Sequence, residues 1–540
     1  MQPRDVSRLD TGPFDLLVVG GGIHGLAIAY EASSRGLRTA LIEASDFGSG
    51  ISFNHQKTAH GGLRSLQSLQ LARAREAIRE RRALARIAPW FLHPLPFIVG
   101  TYRSVTKGRL ALRAGFRLDA WLGRLRNQGI ERELHLPPAK LLSRGMTLKL
   151  FPGINQRHLT GGAQWYDYQM VQNDRLTLAF GAAADGHGAV LANYVEAVEA
   201  LRDGGRIVGM AARDRESGER LTICAALTIN AAGARAGDIS ALFGVERPVP
   251  LLAAMNLVTS TPAREVALAA PTAAGRMLTL VPWGGHAIVG TSQSDRLVTP
   301  GDGQASSAEI NAFIAEANEA FPALALTREK VTLVHRGLVP AVVVAGQPPD
   351  LLAAPAIHDH ERDGAPGAMT VIGVKYTTAR GVAERTVDAA ARRLGRRLRR
   401  SSTAVTILPG AGMADHEGLA IETARRAGLD LPPNVLERLS RLYAEQSADI
   451  VRLMIDRPAL REPLGDAAGA TAAEIVHAIH QEMAIHLSDI VVRRIGLGST
   501  GHPGAAVLSR SAEIAAAELG WAEERKVKEA AAVEEIYRVP

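Results

Sequence analysis

Asp15-Leu16-Leu17-Val18-Val19-Gly20-Gly21-Gly22-Ile23-His24-Gly25 is the stretch on which the fold turns. Its apolar start reads as a buried strand, Gly20 to Gly22 as a turn, and Ile23 to Arg35 as a helix that Gly36 ends. A second strand follows from Arg38 to Glu43, which makes a βαβ unit and implies a parallel sheet. The glycines fit G-x-G-x-x-G. Gly20 permits the tight turn, Gly22 lets backbone approach a pyrophosphate, and Gly25 lets helix and strand pack closely. Gly21, Ile23 and His24 complete the turn, with His24 facing the bound group. The helix N-terminus offers unpaired N–H groups to phosphate. Glu43 lies 21 residues beyond Gly22, where a carboxylate accepts hydrogen bonds from ribose hydroxyls. The motif predicts a bound dinucleotide; alone it does not separate FAD from NAD.

Outward from this unit, 540 residues are too many for one core, so two or three domains are expected. With 46% hydrophobic and 22% charged residues the chain is globular rather than disordered. A single cysteine, Cys224, excludes an intrachain disulfide and a multi-cysteine metal site, and no metal is expected. That usage fits a cytoplasmic location. The only apolar run near the start is too short for a signal peptide, and no window approaches the roughly 18 apolar residues of a membrane span. The net charge of +7 comes largely from Arg64 to Arg126, a basic face for nucleic acid, anionic lipid or substrate, or a plain solvated surface. Helical periods run over 63–87 and 109–126, the latter with Phe116, Leu118, Trp121, Leu122 and Leu125 as its apolar side. A helix is expected over 174–184, strands over 189–194 and 221–230, and an antiparallel sheet over 246–354 that roofs a pocket. After the basic run 392–400 the pattern turns helical to the end.

Several separated motifs carry a resemblance. Lys57-Thr58-Ala59-His60-Gly61-Gly62-Leu63-Arg64, Asp174-Arg175-Leu176, Asn230-Ala231-Ala232-Gly233, Gly290-Thr291 and Gly373-Val374-Lys375-Tyr376-Thr377-Thr378-Ala379-Arg380 resemble segments of the FAD-dependent glycerol-3-phosphate dehydrogenases. So do His480 to Ala484 and Leu487 to Arg494. The resemblance implies an α/β, glutathione-reductase-like FAD-binding fold, with an antiparallel β-sheet substrate domain and a C-terminal helical domain. Residues 14–404 would form the oxidoreductase, with FAD-binding parts at about 14–100, 164–245 and 355–400, and substrate parts at about 101–163 and 246–354. Residues 405–540 would form the helical domain. The resemblance also implies hydride transfer from a secondary alcohol to flavin, with quinone or oxygen as acceptor. It is compatible with peripheral contact at the inner face of the membrane and with a homodimer.

The FAD shell is expected to include Ser52, Lys57, Thr58 and Val195, then Ala232, Gly233, Gly373, Lys375 and Thr377, beside the glycine turn. The lysine matching Lys375 lies at the flavin–substrate boundary in the similar proteins, where a cation favours reduced flavin and an anionic substrate. Arg64 matches an arginine on substrate phosphate, a bidentate role no lysine mimics. His60 and His335 are the candidate bases, because imidazole accepts a proton near neutral pH.

Two departures bear on the substrate. Val339 stands where the family pattern has an arginine, and Arg336, the nearest candidate contact, would face the other side of a strand. Ala356-Ile357-His358-Asp359-His360 replaces a Ser-Arg pair, with His358 and His360 as partial substitutes. Glycerol 3-phosphate, a polyol phosphate or a hydroxy acid are therefore all candidate substrates. Oxidation of an amino acid or amine on the same fold is the alternative chemistry. A flavoprotein binding nucleic acid or a partner is a third class; with 4% aromatics and no stacking pattern, nucleic acid is not expected.

Overall fold

A computed structural model of the chain describes residues 1–62, 70–103, 109–412, 416–465 and 469–540. Strand Phe14–Val19 is buried along almost its whole length and sits inside a sheet between Thr39–Ile42 and Arg220–Asn230, parallel to both. Val190–Ala192 extends the sheet beyond Thr39–Ile42, and Ala368–Ile372 extends it beyond Arg220–Asn230. Ala356–Asp359 closes that edge in the antiparallel sense. A buried parallel strand needs apolar side chains on both faces, and the run Leu16 to Val19 supplies them alternately. Leu16 and Val18 pack with Leu41 under helices Ile23–Ser34 and Ala379–Arg393. Leu17 and Val19 pack with Ala40, Ile42, Ile207 and Ile223 beneath the hairpin Val195–Asp203 and Arg206–Asp214.

The second sheet is almost wholly antiparallel. It runs Asp350–Leu351, Val331–Val342, Leu251–Pro262, His286–Gln293, Met277–Trp283, Ala267–Pro271, Leu92–Tyr102, Leu159–Met170, Thr58–Ala59. The exception is the parallel pairing of Ala267–Pro271 with Leu92–Tyr102. Leu92 to Gly100 and Gln164 to Met170 fall within the expected FAD-binding parts, and the structure pairs them with each other inside this second sheet, next to its Thr58–Ala59 end. Local pattern marks a strand; which sheet it joins is a long-range pairing. One face of this sheet is covered by helix Ser307–Ala320, which begins with a Ser306–Glu309 capping box and buries Ile310, Phe313 and Ala317 against Leu257 and Val289. The other face meets Phe53 through Val258, Ile288 and Leu333.

Helices from His416 to Tyr537 share a separate core around Leu439, Ile450, Met454, Ile475 and Ile490. Among the described residues no helix is long and apolar enough to cross a membrane.

Candidate active site

The glycine turn is built as its residues demand. Gly20 adopts φ +114°, and a Cβ there would lie 2.6 Å from the Ala231 carbonyl oxygen. A Cβ on Gly25 would lie 1.8 Å from the Gly20 carbonyl oxygen, so helix and strand touch through bare backbone. Glu43 directly follows its strand and accepts the Gly21 N–H at 2.6 Å and the Ser45 N–H at 2.8 Å. Loss of solvent raises its carboxyl above the usual range, against the pull of those two N–H groups. Ser52 Oγ accepts the Ile23 N–H at 3.0 Å, and the helix has no acid in its first turn to repel an anion. The Val195 N–H bonds to the Glu43 carbonyl at 2.7 Å, which places it beside that acid with its side chain in the core. The Ala232 N–H bonds to Asn230 Oδ1 at 3.1 Å, and the Ala232 Cα lies 2.9 Å from where a Cβ on Gly20 would sit, with Gly233 next in the chain.

His24 joins this turn to the distant segment 373–377. Its ring is buried against Gly373, where a Cβ would lie 2.3 Å from the imidazole. Burial lowers its pKa to about 4, and Nε2 has no hydrogen-bond partner among the described residues. Bare backbone along the turn, an acid at one end and an orphaned buried ring nitrogen at the other fit an extended dinucleotide. FAD would be held by Glu43 at its ribose, by Gly20 to Ile23 and Ser52 at its phosphates, and by the Gly373–Thr377 side at its ring.

His60 lies where three elements meet. Its N–H donates to Thr377 Oγ1 at 3.2 Å, and its half-exposed ring places Nδ1 3.2 Å from Asp167 Oδ2. Asp167, in the middle of strand Leu159–Met170, also accepts the Gly61 N–H at 2.7 Å and an ion pair from Arg81 of helix Leu71–Ile87. Gly61 is glycine because a Cβ would strike the Arg81 guanidinium. Burial pushes the Asp167 carboxyl up, but the hydrogen bond from His60 and the charge of Arg81 hold it below its ordinary value. No motif in the sequence marks Asp167 or Arg81. The only signal was one acid inside the aromatic run Trp165-Tyr166-Asp167-Tyr168.

Lys375, two residues before Thr377, is exposed on extended backbone, and its carbonyl accepts the Thr378 N–H at 3.3 Å. Other expected residues sit elsewhere. Lys57 was expected on FAD. It adopts φ +55°, its Nζ donates to the Phe53 carbonyl, and it lies 4.0 Å over the Phe53 ring, wholly buried beneath the loop. Burial lowers its pKa to about 8. Thr58 is turned into the strand pair with Gln169, its hydroxyl on the Gln56 carbonyl at 3.0 Å. His335 was a candidate base, but it is fully buried against Phe53 and burial drives its pKa well down, so it reaches no solvent-borne substrate. Arg336 was a candidate substrate contact. It faces helix Ser307–Ala320 and pairs with Glu309 at 3.1 Å, opposite Gly337, whose Cβ would strike Ile51 of the loop. Val339 shares the Gly337 face by alternation. His360 is buried between Asp363 and Thr370, and His358 bonds Arg247 at 3.2 Å, so neither replaces a substrate arginine. Arg64 lies outside the described residues.

A dinucleotide cradle joined to a histidine–carboxylate pair under a sheet roof defines a flavin-dependent oxidoreductase. Residues 15–389 match the FAD dependent oxidoreductase family, and residues 401–526 match the C-terminal domain of alpha-glycerophosphate oxidase. The chain belongs to this FAD-dependent oxidoreductase family, in its glycerol-3-phosphate dehydrogenase branch. It is 31% identical over 522 residues to glycerol-3-phosphate dehydrogenase 2 of Mycobacterium tuberculosis, covering 95% of this chain and 86% of that one. It is 30% identical over 541 residues to glycerol-3-phosphate dehydrogenase of Synechocystis, covering 97% and 96%. The fold is that of the Bacillus halodurans glycerol-3-phosphate dehydrogenase solved with FAD, at TM-score 0.75, 23% identity and 98% and 96% coverage.

Proposed function

We propose that the chain oxidises glycerol 3-phosphate to dihydroxyacetone phosphate. The observation that carries this is the His60–Asp167–Arg81 arrangement beside Thr377, in a chain whose curated relatives act under that name. Bound FAD supplies a two-electron sink for hydride from the alcohol carbon. The protein must then take the hydroxyl proton and orient the carbon. Asp167 is an acceptor, so the proton of the neutral imidazole sits on Nδ1 and the opposite nitrogen, Nε2, is the base. When Nε2 takes the hydroxyl proton, Asp167 stabilises the imidazolium, and Arg81 keeps Asp167 ionised. With Arg336 committed to Glu309, the substrate-anion role is left to Lys375 and to Arg64, which lies outside the described residues. The test is anaerobic bleaching of the bound flavin by a substrate panel. Glycerol 3-phosphate should bleach it; bleaching by amino acids alone would overturn this reading.

For the acceptor we propose quinone or oxygen, reached by a cytoplasmic chain resting on the inner face of a membrane. Helix Arg109–Leu122 and its exit support it: Trp121 and Leu125 are exposed beside Arg113, Arg117 and Arg124, whereas Phe116 is buried and contributes no contact. Co-sedimentation with anionic vesicles should be lost in Trp121→Ser/Leu125→Ser. Equal sedimentation of that variant would remove the proposal.

A further inference from the structure

We propose that the C-terminal helical domain is part of the cofactor site's scaffold: Arg493 and Arg494 hold Asp46, and through the loop 43–52 they set the geometry in which the glycine turn takes FAD. That loop touches the turn at three points. Gly21 donates to Glu43, the Gly48 N–H bonds to the Gly21 carbonyl at 3.0 Å, and Ile23 donates to Ser52. Asp46 lies between these contacts and is fully buried.

Its carboxylate is gripped from the other domain. Arg494 donates Nη1 to Oδ2 at 2.8 Å and Nη2 to Oδ1 at 2.7 Å, a bidentate fork. Arg493 adds Nε to Oδ2 at 2.6 Å. Both arginines are themselves fixed within the helical domain. Arg494 donates to the Glu482 carbonyl at 3.2 Å, and Arg493 to Asp489 at 2.6 Å. Asp489 in turn accepts the Ile485 and His486 N–H groups at 3.1 and 3.0 Å. The Asp489–Arg494 backbone is a π-helix, and two successive arginines converge from it on one carboxylate.

Other junction contacts, such as Arg175 to Glu482 and Trp90 Nε1 to the Arg441 carbonyl, hold the two domains together without reaching the cofactor loop. The Asp46 contact does reach it. Arg493 and Arg494 are therefore positioning residues for FAD, and linkage is reciprocal: what docking does for FAD affinity, FAD does for docking.

The experiment uses the full-length apoprotein titrated with FAD, read by flavin fluorescence, and amide hydrogen exchange with and without FAD. Asp46→Asn and Arg494→Lys should weaken FAD binding about tenfold. In the parent chain, FAD should slow exchange at 484–495 about tenfold. In Arg494→Lys that slowing should vanish while slowing at 20–26 persists, an outcome that general destabilisation does not produce. Unchanged FAD affinity in folded variants overturns the proposal. So does parent exchange at 484–495 that is indifferent to FAD, a measurement that decides the matter even where a variant fails to fold.

Discussion

His60 Nδ1 and Asp167 Oδ2, separated by 107 residues in the chain, lie 3.2 Å apart at the mouth of the flavin site, with Arg81 on the far side of the carboxylate. The pair makes one ring nitrogen a donor and leaves the other to accept a proton. Asp167→Asn should slow flavin reduction by glycerol 3-phosphate by about 10²-fold or more, with a smaller effect on KM. His60→Asn should do the same. The Asn variant also strands Arg81, at a cost of about 3–5 kcal/mol, so stopped-flow reduction is measured beside thermal unfolding. A folded Asp167→Asn enzyme that bleaches at the parent rate would remove His60 as the base.

Lys375 is exposed on extended backbone, and its carbonyl accepts the Thr378 N–H. Lys375→Ala should keep FAD and slow reduction by glycerol 3-phosphate about 10- to 100-fold. The loss should be smaller for uncharged glycerol, because a cation discriminates by the substrate's charge. Equal losses with both substrates would place Lys375 on the flavin alone.

Backbone contact sets the tolerance of the cradle. Gly25→Ala puts a methyl 1.8 Å from a carbonyl oxygen, so strand and helix must separate, at about 1–3 kcal/mol and with loss of flavin. In Gly373→Ala the atoms nearest the new methyl are those of the His24 ring, at 2.3 Å. Flavin content should fall in Gly373→Ala and recover in Gly373→Ala/His24→Ala. Failure of that recovery would show that Gly373 is needed for its backbone and not for room.

His486 ties the last helix to the FAD domain through Glu529 at 2.7 Å and Glu216 at 2.9 Å. Burial alone would lower its pKa, but hydrogen bonds to the two carboxylates raise it to about 10. A raised folded-state value means the stabilisation is complete below the unfolded value of 6.5, declines above it, and is gone once pH passes about 10. His486→Gln should cost about 1.5–3 kcal/mol at pH 6 and almost nothing at pH 10.5. Urea unfolding of both chains across that range checks it; a gap that grows with pH would contradict the assignment.

The dinucleotide turn was legible because its chemistry is local. Gly20, Gly22, Gly25 and Glu43 sit at spacings that one strand, one turn and one helix impose, and the structure keeps each of them where that spacing puts it. The motif around His60 was equally legible as a string. Its partner was not, since Asp167 faces His60 only after Leu159–Met170 pairs with Thr58–Ala59 and Leu92–Tyr102. Lys57 and His335 show the opposite failure. Both are polar residues in promising company, and both are turned inward by a left-handed backbone or by strand alternation against Phe53.

By itself the sequence determined a βαβ dinucleotide motif and a helical C-terminus, and its resemblance to a family singled out the segments Lys57–Arg64 and Gly373–Arg380. The motif and the helical pattern are written in periods and spacings shorter than one supersecondary unit. Tertiary structure alone decided which charges are at work. It paired His60 with Asp167, turned Arg336 onto Glu309, and carried Arg494 across 448 positions to Asp46. The interaction of a charge weakens with distance, so the groups folded nearest to it dominate, and sequence distance carries no information about which groups those are.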